Sequence, residues 1–504
     1  MVYTTSRETF RKYTDPETFA KIVDYPTVSA MWAHSVGAYA SSAAIADDGK
    51  EYSYQTLEDD AARLRTVLKK NGLQAGDRVG VYCSNSYAFV KSYLAVVTSG
   101  MTALILPIHL DETSVFGCTM KYGLKAVFYQ PENEEKTTFA RTHGSKAVFL
   151  STEDAETEKT PIFEDVKATD PAVIMFTGGT TGKSKGTLLS NEAVMQGTVN
   201  GCYGLKDIFG ERYLLVLPLS HVFGLIRNLM SALYTGSTMF ICRNNKDMFR
   251  DIAMFRPTVM VMVPALAEMA LTLSKKFGRN MLGDDLKYVI CGAAMVPPYL
   301  IREYDKRNMV LLPGYGLTES ANLVSGNPEN LSHPDSVGLL YPNQELKIEN
   351  GELLLKGRNI MSGYVGEEEA SFDEGGWFHT GDLARIDEDG FLYITGRIKE
   401  IIVLPTGENV SPAEVESYFN ELTCVQDSQV FEDLNEFGQH ILALEVVPRM
   451  TELAGVEDVG AFVTAELKKV NEKLPSYMKI SRMEIRTSDF ERTPSMKIAR
   501  YHKV

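Results

Sequence analysis

The stretch Ala172-Val173-Ile174-Met175-Phe176-Thr177-Gly178-Gly179-Thr180-Thr181-Gly182-Lys183-Ser184-Lys185-Gly186 runs from an apolar strand-like segment into a loop of glycines, hydroxyls and lysines. A helix is expected to start near Ser190. Glycines let backbone N–H groups converge on an anion, hydroxyls add donors and lysines add charge, so the loop suits phosphate. Composition alone also allows a flexible polar turn. Gly182-Lys183-Ser184 matches the end of a Walker A loop, but that motif needs glycine five positions before Gly182, and residue 177 is threonine. The P-loop reading fails by one residue.

On either side of this loop the chain alternates helix and strand patterns. Leu57, Ala61, Leu64, Val67 and Leu68 recur at helical spacing, with Thr56 as N-cap and Gly72 beyond the end. Asp77 to Tyr82 reads as a turn entering a strand, and Thr258 to Val263 and Lys287 to Ile290 are short apolar runs. This rhythm predicts α/β layers with largely parallel strands. From about Ser336 short strands and tight turns take over. Gly351 to Lys356 is one strand, and Asp387-Glu388-Asp389-Gly390 before Phe391-Leu392-Tyr393-Ile394 reads as a hairpin. After Gly396-Arg397-Ile398-Lys399-Glu400 a small α+β unit begins. Its first helix is signalled by Ser411 as N-cap, Pro412 at the first position and Glu414 in a capping box. The predicted organisation is a large α/β region over 1–396, a hinge over 397–400 and a small α+β domain over 401–504.

Of the 504 residues 44% are hydrophobic and 23% charged, which fits packed cores and excludes disordered or fibrous classes. The net charge of −15 repels phosphate backbones and anionic membranes, so a nucleic-acid partner is not expected. Six cysteines stand far apart without a CxxC pair, which argues against a zinc site or a disulfide framework and fits a reducing compartment. The polar start lacks the apolar centre of a signal peptide. The apolar stretch Tyr93 to Leu110 is interrupted by Ser99-Gly100 and Pro107 and is short for a membrane span. A cytoplasmic protein without an integral membrane span is the expectation, and nothing in the sequence specifies an oligomer. Met254, Met260, Met262 and Met269 are expected to fill core gaps.

The loop resembles the phosphate-binding signature of the adenylate-forming superfamily: acyl-CoA synthetases, peptide-synthetase adenylation domains and luciferases. Further motifs follow in that superfamily's order. Leu217-Pro218-Leu219-Ser220-His221-Val222-Phe223-Gly224 is similar to its substrate-pocket motif, and Gly314-Tyr315-Gly316-Leu317-Thr318-Glu319 to its adenine and magnesium motif. Trp377-Phe378-His379-Thr380-Gly381-Asp382 resembles the ribose motif, Gly396-Arg397-Ile398-Lys399 the hinge, and Thr493-Pro494-Ser495-Met496-Lys497 the catalytic-lysine motif. Asp77-Arg78-Val79 and Asn85-Ser86 also fit, so the likeness covers almost the whole chain.

The resemblance implies a carboxylate attacking the α-phosphorus of MgATP to give acyl-adenylate and pyrophosphate, then transfer to the thiol of CoA. Thr177, Gly178, Gly179, Thr180, Thr181, Gly182 and Lys185 would hold phosphates. Glu319 would hold Mg²⁺, a hard cation that takes carboxylate oxygen, and Thr318 would donate to the α-phosphate. Tyr315 offers an aromatic face for adenine, with Gly292, Ala293, Ala294 and Gly316 along adenine and the acyl pocket. Asp382 would accept from the ribose hydroxyls, with Arg397 close by. Lys497 would meet carboxylate and phosphate oxygens during adenylation, when charge spreads over phosphate oxygens. His221 and Phe223 would line the acyl pocket, His221 gating it, while His379 is expected to be structural or near CoA. Rotation about Lys399 would exchange Lys497 for the segment of Gly407 on the CoA path.

The chain departs from the pattern in places. Gly178 stands where many members carry serine and Ser184 where proline is common, and 401–410 is one residue longer than the commonest version. Long-chain fatty acyl-CoA ligases show similar spellings. Ala293 stands where glycine is frequent, and its methyl narrows the pocket. A fatty acid is the favoured substrate. Loading of a fatty or aromatic acid onto a carrier-protein phosphopantetheine is the alternative. Ser220 to Leu225 holds no acid for an α-amino group, which disfavours amino-acid activation. Intact Lys185, Glu319, Asp382, Arg397 and Lys497 argue against binding without turnover, and a luciferase-like oxidation would share the same motifs.

Overall fold

In the computed structural model, residues 1–154, 156–177, 185–367, 372–404, 408–492, 498 and 500 are described. A mixed sheet forms from Arg78–Tyr82, Thr102–Ile105, Ala126–Tyr129, Val148–Ser151 and Pro171–Phe176, all parallel, with Gly186–Ser190 and then Gly363–Tyr364 added antiparallel at one edge. Strands buried on both faces read as continuous apolar runs, which is why Ala172 to Met175 carries no alternation.

The second sheet has a parallel half in the order Val310–Tyr315, Tyr288–Cys291, Val259–Met262, Arg212–Leu215, Thr238–Ile241, Ala43–Asp47. Beyond Val310–Tyr315 it continues antiparallel through Ser325–Gly326, Gly338–Leu340, Phe391–Arg397, Phe378–Ile386 and Glu352–Gly357. The expected α/β layering is the observed one. The hairpin at 387–390 forms as expected: the Asp387 carboxylate accepts from the N–H groups of Asp389 and Phe391, and Gly390 takes φ +87°.

The helix read at 57–68 spans Tyr54–Lys70. Its cap is Ser53, whose hydroxyl accepts from Thr56 N–H at 3.1 Å, so Thr56 lies inside the first turn. Leu57, Leu64 and Leu68 are buried, each contributing about 2 kcal/mol. Gly72 at φ +79° ends the segment.

Residues past the Phe391–Arg397 strand build a separate core. Val425–Leu434 and His440–Pro448 pair antiparallel, Arg482–Ile485 joins parallel, and the helices Pro412–Asn420 and Val459–Lys473 cover them through Val415, Phe419, Val463 and Leu467. Ser411 caps the first of these helices by accepting from Glu414 N–H at 3.4 Å, and its hydroxyl donates to the Thr395 carbonyl at 2.7 Å. The reciprocal bond from the Glu414 side chain does not form among the described residues. This core meets the large one through Arg449, which ion-pairs with Glu268 at 2.9 Å and lies over the Tyr299 ring. Lys275 adds a bond to Glu452 at 2.5 Å.

The cysteines carry no disulfide. Among the described residues no helix is long and apolar enough to cross a membrane. Met260 and Met262 are core residues, whereas Met254 and Met269 are exposed at 62% and 38%, because they fall on the outer faces of the helices Met248–Phe255 and Pro264–Phe277.

Candidate active site

The carboxyl ends of the parallel strands Arg212–Leu215, Val259–Met262, Tyr288–Cys291 and Val310–Tyr315 lie side by side, and the segments leaving three of them carry motif residues. In open α/β sheets ligands bind in the crevice outside those ends. The segment after Leu215 turns tightly: His221 N–H bonds to the Pro218 carbonyl at 3.0 Å, and a Cβ on Gly224 would stand 2.2 Å from that same oxygen. A π-helical stretch, Phe223–Met230, follows. Such stretches cluster at functional sites. His221 Nδ1 accepts from Phe223 N–H at 3.2 Å, which in the neutral ring leaves the proton on Nε2.

The register Cys291↔Pro313 sets Gly292 beside Gly314, and a Cβ on Gly292 would meet the Gly314 oxygen at 3.1 Å and the Phe223 ring at 3.5 Å. Gly292 and Phe223 are therefore neighbours. At Gly316 a Cβ would fall 1.3 Å from the Asn322 carbonyl oxygen, so only glycine fits. Ala293 takes φ +68°, the left-handed region, at the position where the resemblance expects glycine. Ala294 beside it is exposed.

Tyr315, Asp382 and Arg397 form one chain of contacts. The Tyr315 hydroxyl donates to Asp382 Oδ2 at 2.5 Å, and Arg397 Nε reaches Asp382 Oδ1 at 2.7 Å. Asp382 and Arg397 face each other in register across their antiparallel pair. Tyr315 is four strands away in the pairing order, about 19 Å in a flat sheet. The antiparallel half therefore curls back over the end of the parallel half to bring the hydroxyl onto the carboxylate. Burial, and then the Asp382 charge, push the Tyr315 phenol well above its ordinary range, which keeps it a neutral donor.

A second chain of contacts lies at Thr177 and Lys185, the two residues that flank 178–184. Thr177 N–H donates to the Lys185 carbonyl at 3.0 Å and Lys185 N–H to Thr177 Oγ1 at 3.3 Å, which pinches the loop ends together. After Lys185 comes the strand Gly186–Ser190, and a helix, Asn191–Asn200, starts there as expected, with Ser190 as its cap. A Walker A loop would feed straight into a helix. Lys185 Nζ pairs with Glu367 at 2.5 Å and sits 4.7 Å above the Tyr364 ring, whose hydroxyl donates to Glu319 Oε1 at 2.6 Å. Tyr364 thus links two motifs far apart in sequence, and nothing in its spacing announced this. Thr318, buried, opens the short turn Thr318–Ser320, so the Tyr315–Glu319 segment joins the two chains of contacts.

Lys399 lies exposed in the turn Ile398–Glu400, directly after Arg397. Next to it a Cβ on Gly396 would stand 2.1 Å from Ser411 Oγ. His379 is held by Glu352 at 2.9 Å. Gly178, Gly179, Thr180, Thr181, Gly182, Gly407 and Lys497 lie outside the described residues.

Residues 32–365 match the family described as AMP-binding enzyme. Among curated relatives, the 4-coumarate–CoA ligase-like 6 protein of Arabidopsis thaliana is 30% identical over 484 residues, covering 87% of this chain and 82% of its own. The long-chain-fatty-acid–CoA ligase FadD15 of Mycobacterium bovis is 27% identical, with 85% and 86% covered. The fold is similar to that of the anthranilate CoA ligase AuaEII solved with anthranoyl-AMP, at a TM-score of 0.83 and 18% identity over 94% of this chain and 96% of that one. With its sheet-end crevice, its pinched loop and a family match spanning both, the chain belongs to the AMP-binding enzymes.

Proposed function

We propose that the protein is an acid–thiol ligase. It joins a carboxylic acid to the α-phosphate of ATP, releases pyrophosphate, and passes the acyl group to the thiol of CoA. The observation that carries this reading is the junction of the Lys185–Tyr364–Glu319 and Tyr315–Asp382–Arg397 contacts through five consecutive residues, 315–319. On this reading Lys185 is the phosphate-side cation, Glu319 the carboxylate for a metal and Asp382 the carboxylate on the nucleoside side. The relatives named as CoA ligases support the same chemistry.

In the first step a carboxylate oxygen attacks the α-phosphorus, and the bond to the bridging oxygen breaks with departure of pyrophosphate. Thr177, Lys185 and the loop 178–182 hold the phosphates, and Thr318 donates to the α-phosphate. The Tyr315 ring takes adenine. Asp382, already oriented by Tyr315 and Arg397, receives the ribose hydroxyls without reorganising. Lys497 supplies charge where the two anions meet. Glu319, a single carboxylate steadied by Tyr364, would hold Mg²⁺, which would offset phosphate charge. In the second step the thiol sulfur attacks the acyl carbon, its proton passes to solvent, and AMP leaves with the electron pair. Residues 401–504 turn about Lys399 between the steps, bringing Gly407 to the thiol path.

For the acid, the loop and hinge spellings and the long-chain relative favour a fatty acid, while the relative named for 4-coumarate favours an aromatic one. Incubation with MgATP and a panel of carboxylic acids, with and without CoA, followed by mass spectrometry, tests the proposal. Acyl-CoA formed only when CoA is present is the expected product. Acyl-AMP that never passes to CoA would make the enzyme a carrier-protein loader, and no adenylate from any acid would contradict the reading.

A further inference from the structure

Arg227 sits inside the π-helical stretch Phe223–Met230, four residues beyond Phe223, and is only 2% exposed. Its Nη1 has no hydrogen-bond partner, and no described carboxylate lies within ion-pair distance. The Tyr213 hydroxyl, also buried, stands beside it and, kept neutral by burial, supplies no counter-charge. A buried cation without a counter-charge is costly, and folded proteins pair such groups or bring them a ligand.

The guanidinium lines a cavity walled by Tyr203, Ile290, Leu312, Gly314, Leu323 and Tyr341. Gly314 is the residue whose carbonyl stands against Gly292, which in turn touches the Phe223 ring. The cavity and the residues assigned to the acyl pocket are therefore neighbours through Gly314. Its free volume for water-sized centres is about 30 Å³, against roughly 10–15 Å³ for one such centre. That admits a group of two or three heavy atoms and no alkyl chain. A carboxylate has that size, and its two oxygens match the planar fork of arginine.

Resting on the acid-activation reading above, we propose that Arg227 sets substrate choice by binding a second carboxylate, so that the acid activated is a dicarboxylic acid with an apolar body. One carboxylate lies toward His221 and reacts. The other enters the cavity and pairs with Arg227, while the body between them stays outside the cavity, against Phe223.

The test compares matched acids, each monocarboxylic acid paired with the acid of equal length carrying a second terminal carboxylate, in acid-dependent exchange of pyrophosphate into ATP. The wild-type protein is expected to favour the dicarboxylic member at least tenfold in kcat/KM for the best pair. In Arg227→Met that preference falls at least tenfold, and Arg227→Lys recovers part of it. If Arg227→Met does not fold, the wild-type panel alone decides. Preference for the monocarboxylic member, or a preference unmoved in Arg227→Met, overturns the inference and leaves acid activation standing. Absence of exchange with every acid overturns both.

Discussion

The Tyr315 hydroxyl donates to Oδ2 of Asp382 at 2.5 Å, although the two residues lie 67 positions apart and on strands four places apart in their sheet. The bond ties the aromatic face assigned to adenine, half-buried, to the carboxylate assigned to ribose, which is buried. Tyr315→Phe keeps the ring and removes the donor, leaving one carboxylate oxygen without it. We expect a loss of about 1–2 kcal/mol in stability and a several-fold weaker KM for ATP with kcat little changed. Urea unfolding and ATP titration check both. Unchanged ATP dependence would separate Tyr315 from the nucleotide.

Ala293 at φ +68° is the backbone outlier nearest the assigned pocket. The left-handed conformation costs an alanine roughly 1–2 kcal/mol, and glycine gives back part of that relief through its more flexible unfolded state. Ala293→Gly is therefore expected to stabilise the protein by about 0.5–1 kcal/mol. A shift of the urea midpoint to lower concentration would contradict the strain argument.

Glu303 supplies a pH dependence. Burial alone would raise its pKa, but Lys306 at 2.7 Å and Lys275 at 3.2 Å outweigh burial and hold it at about 2. A carboxyl whose folded pKa is depressed adds stability above its unfolded pKa and loses it as pH falls toward the folded one. The stability gap between wild type and Glu303→Gln should be about 1 kcal/mol near neutrality, discounted for solvent screening. It should close between about pH 4.5 and pH 2. Paired unfolding curves across that range measure it, and a constant gap would show that the ion pairs contribute nothing.

Lys497 and Gly407 divide the two half-reactions. Lys497→Ala is expected to abolish adenylation while sparing thioester formation from supplied acyl-adenylate, and a bulky residue at Gly407 should do the reverse. Assays of each half-reaction decide the matter. Equal loss of both in either variant would contradict a turning small domain.

Local signals in the sequence foretold local structure well. The helix start near Ser190, the Ser411 cap, the Asp387–Gly390 turn and the apolar strands all rest on residues within a few positions of one another. Failure of the Walker pattern by one residue corresponds to a strand, not a helix, after Lys185. Long-range contacts were not legible. Tyr364 bridges Lys185 and Glu319 only because Gly363–Tyr364 pairs with Gly186–Ser190, and no spacing encodes that pairing. The helix start at Tyr54 was missed because the apolar period begins at Leu57 while the cap lies a turn earlier. Arg227 does leave a signal in the sequence: a charged residue and Asn228 stand within an otherwise apolar run from Leu225 to Met230, and all are buried.

Acid-dependent exchange of labelled pyrophosphate into ATP tests the central claim most directly, because it reports reversible adenylate formation without needing CoA. The account predicts exchange that requires both Mg²⁺ and a carboxylic acid and falls at least tenfold in Asp382→Ala. Consumption of ATP to ADP and phosphate, with no exchange for any acid, would contradict it.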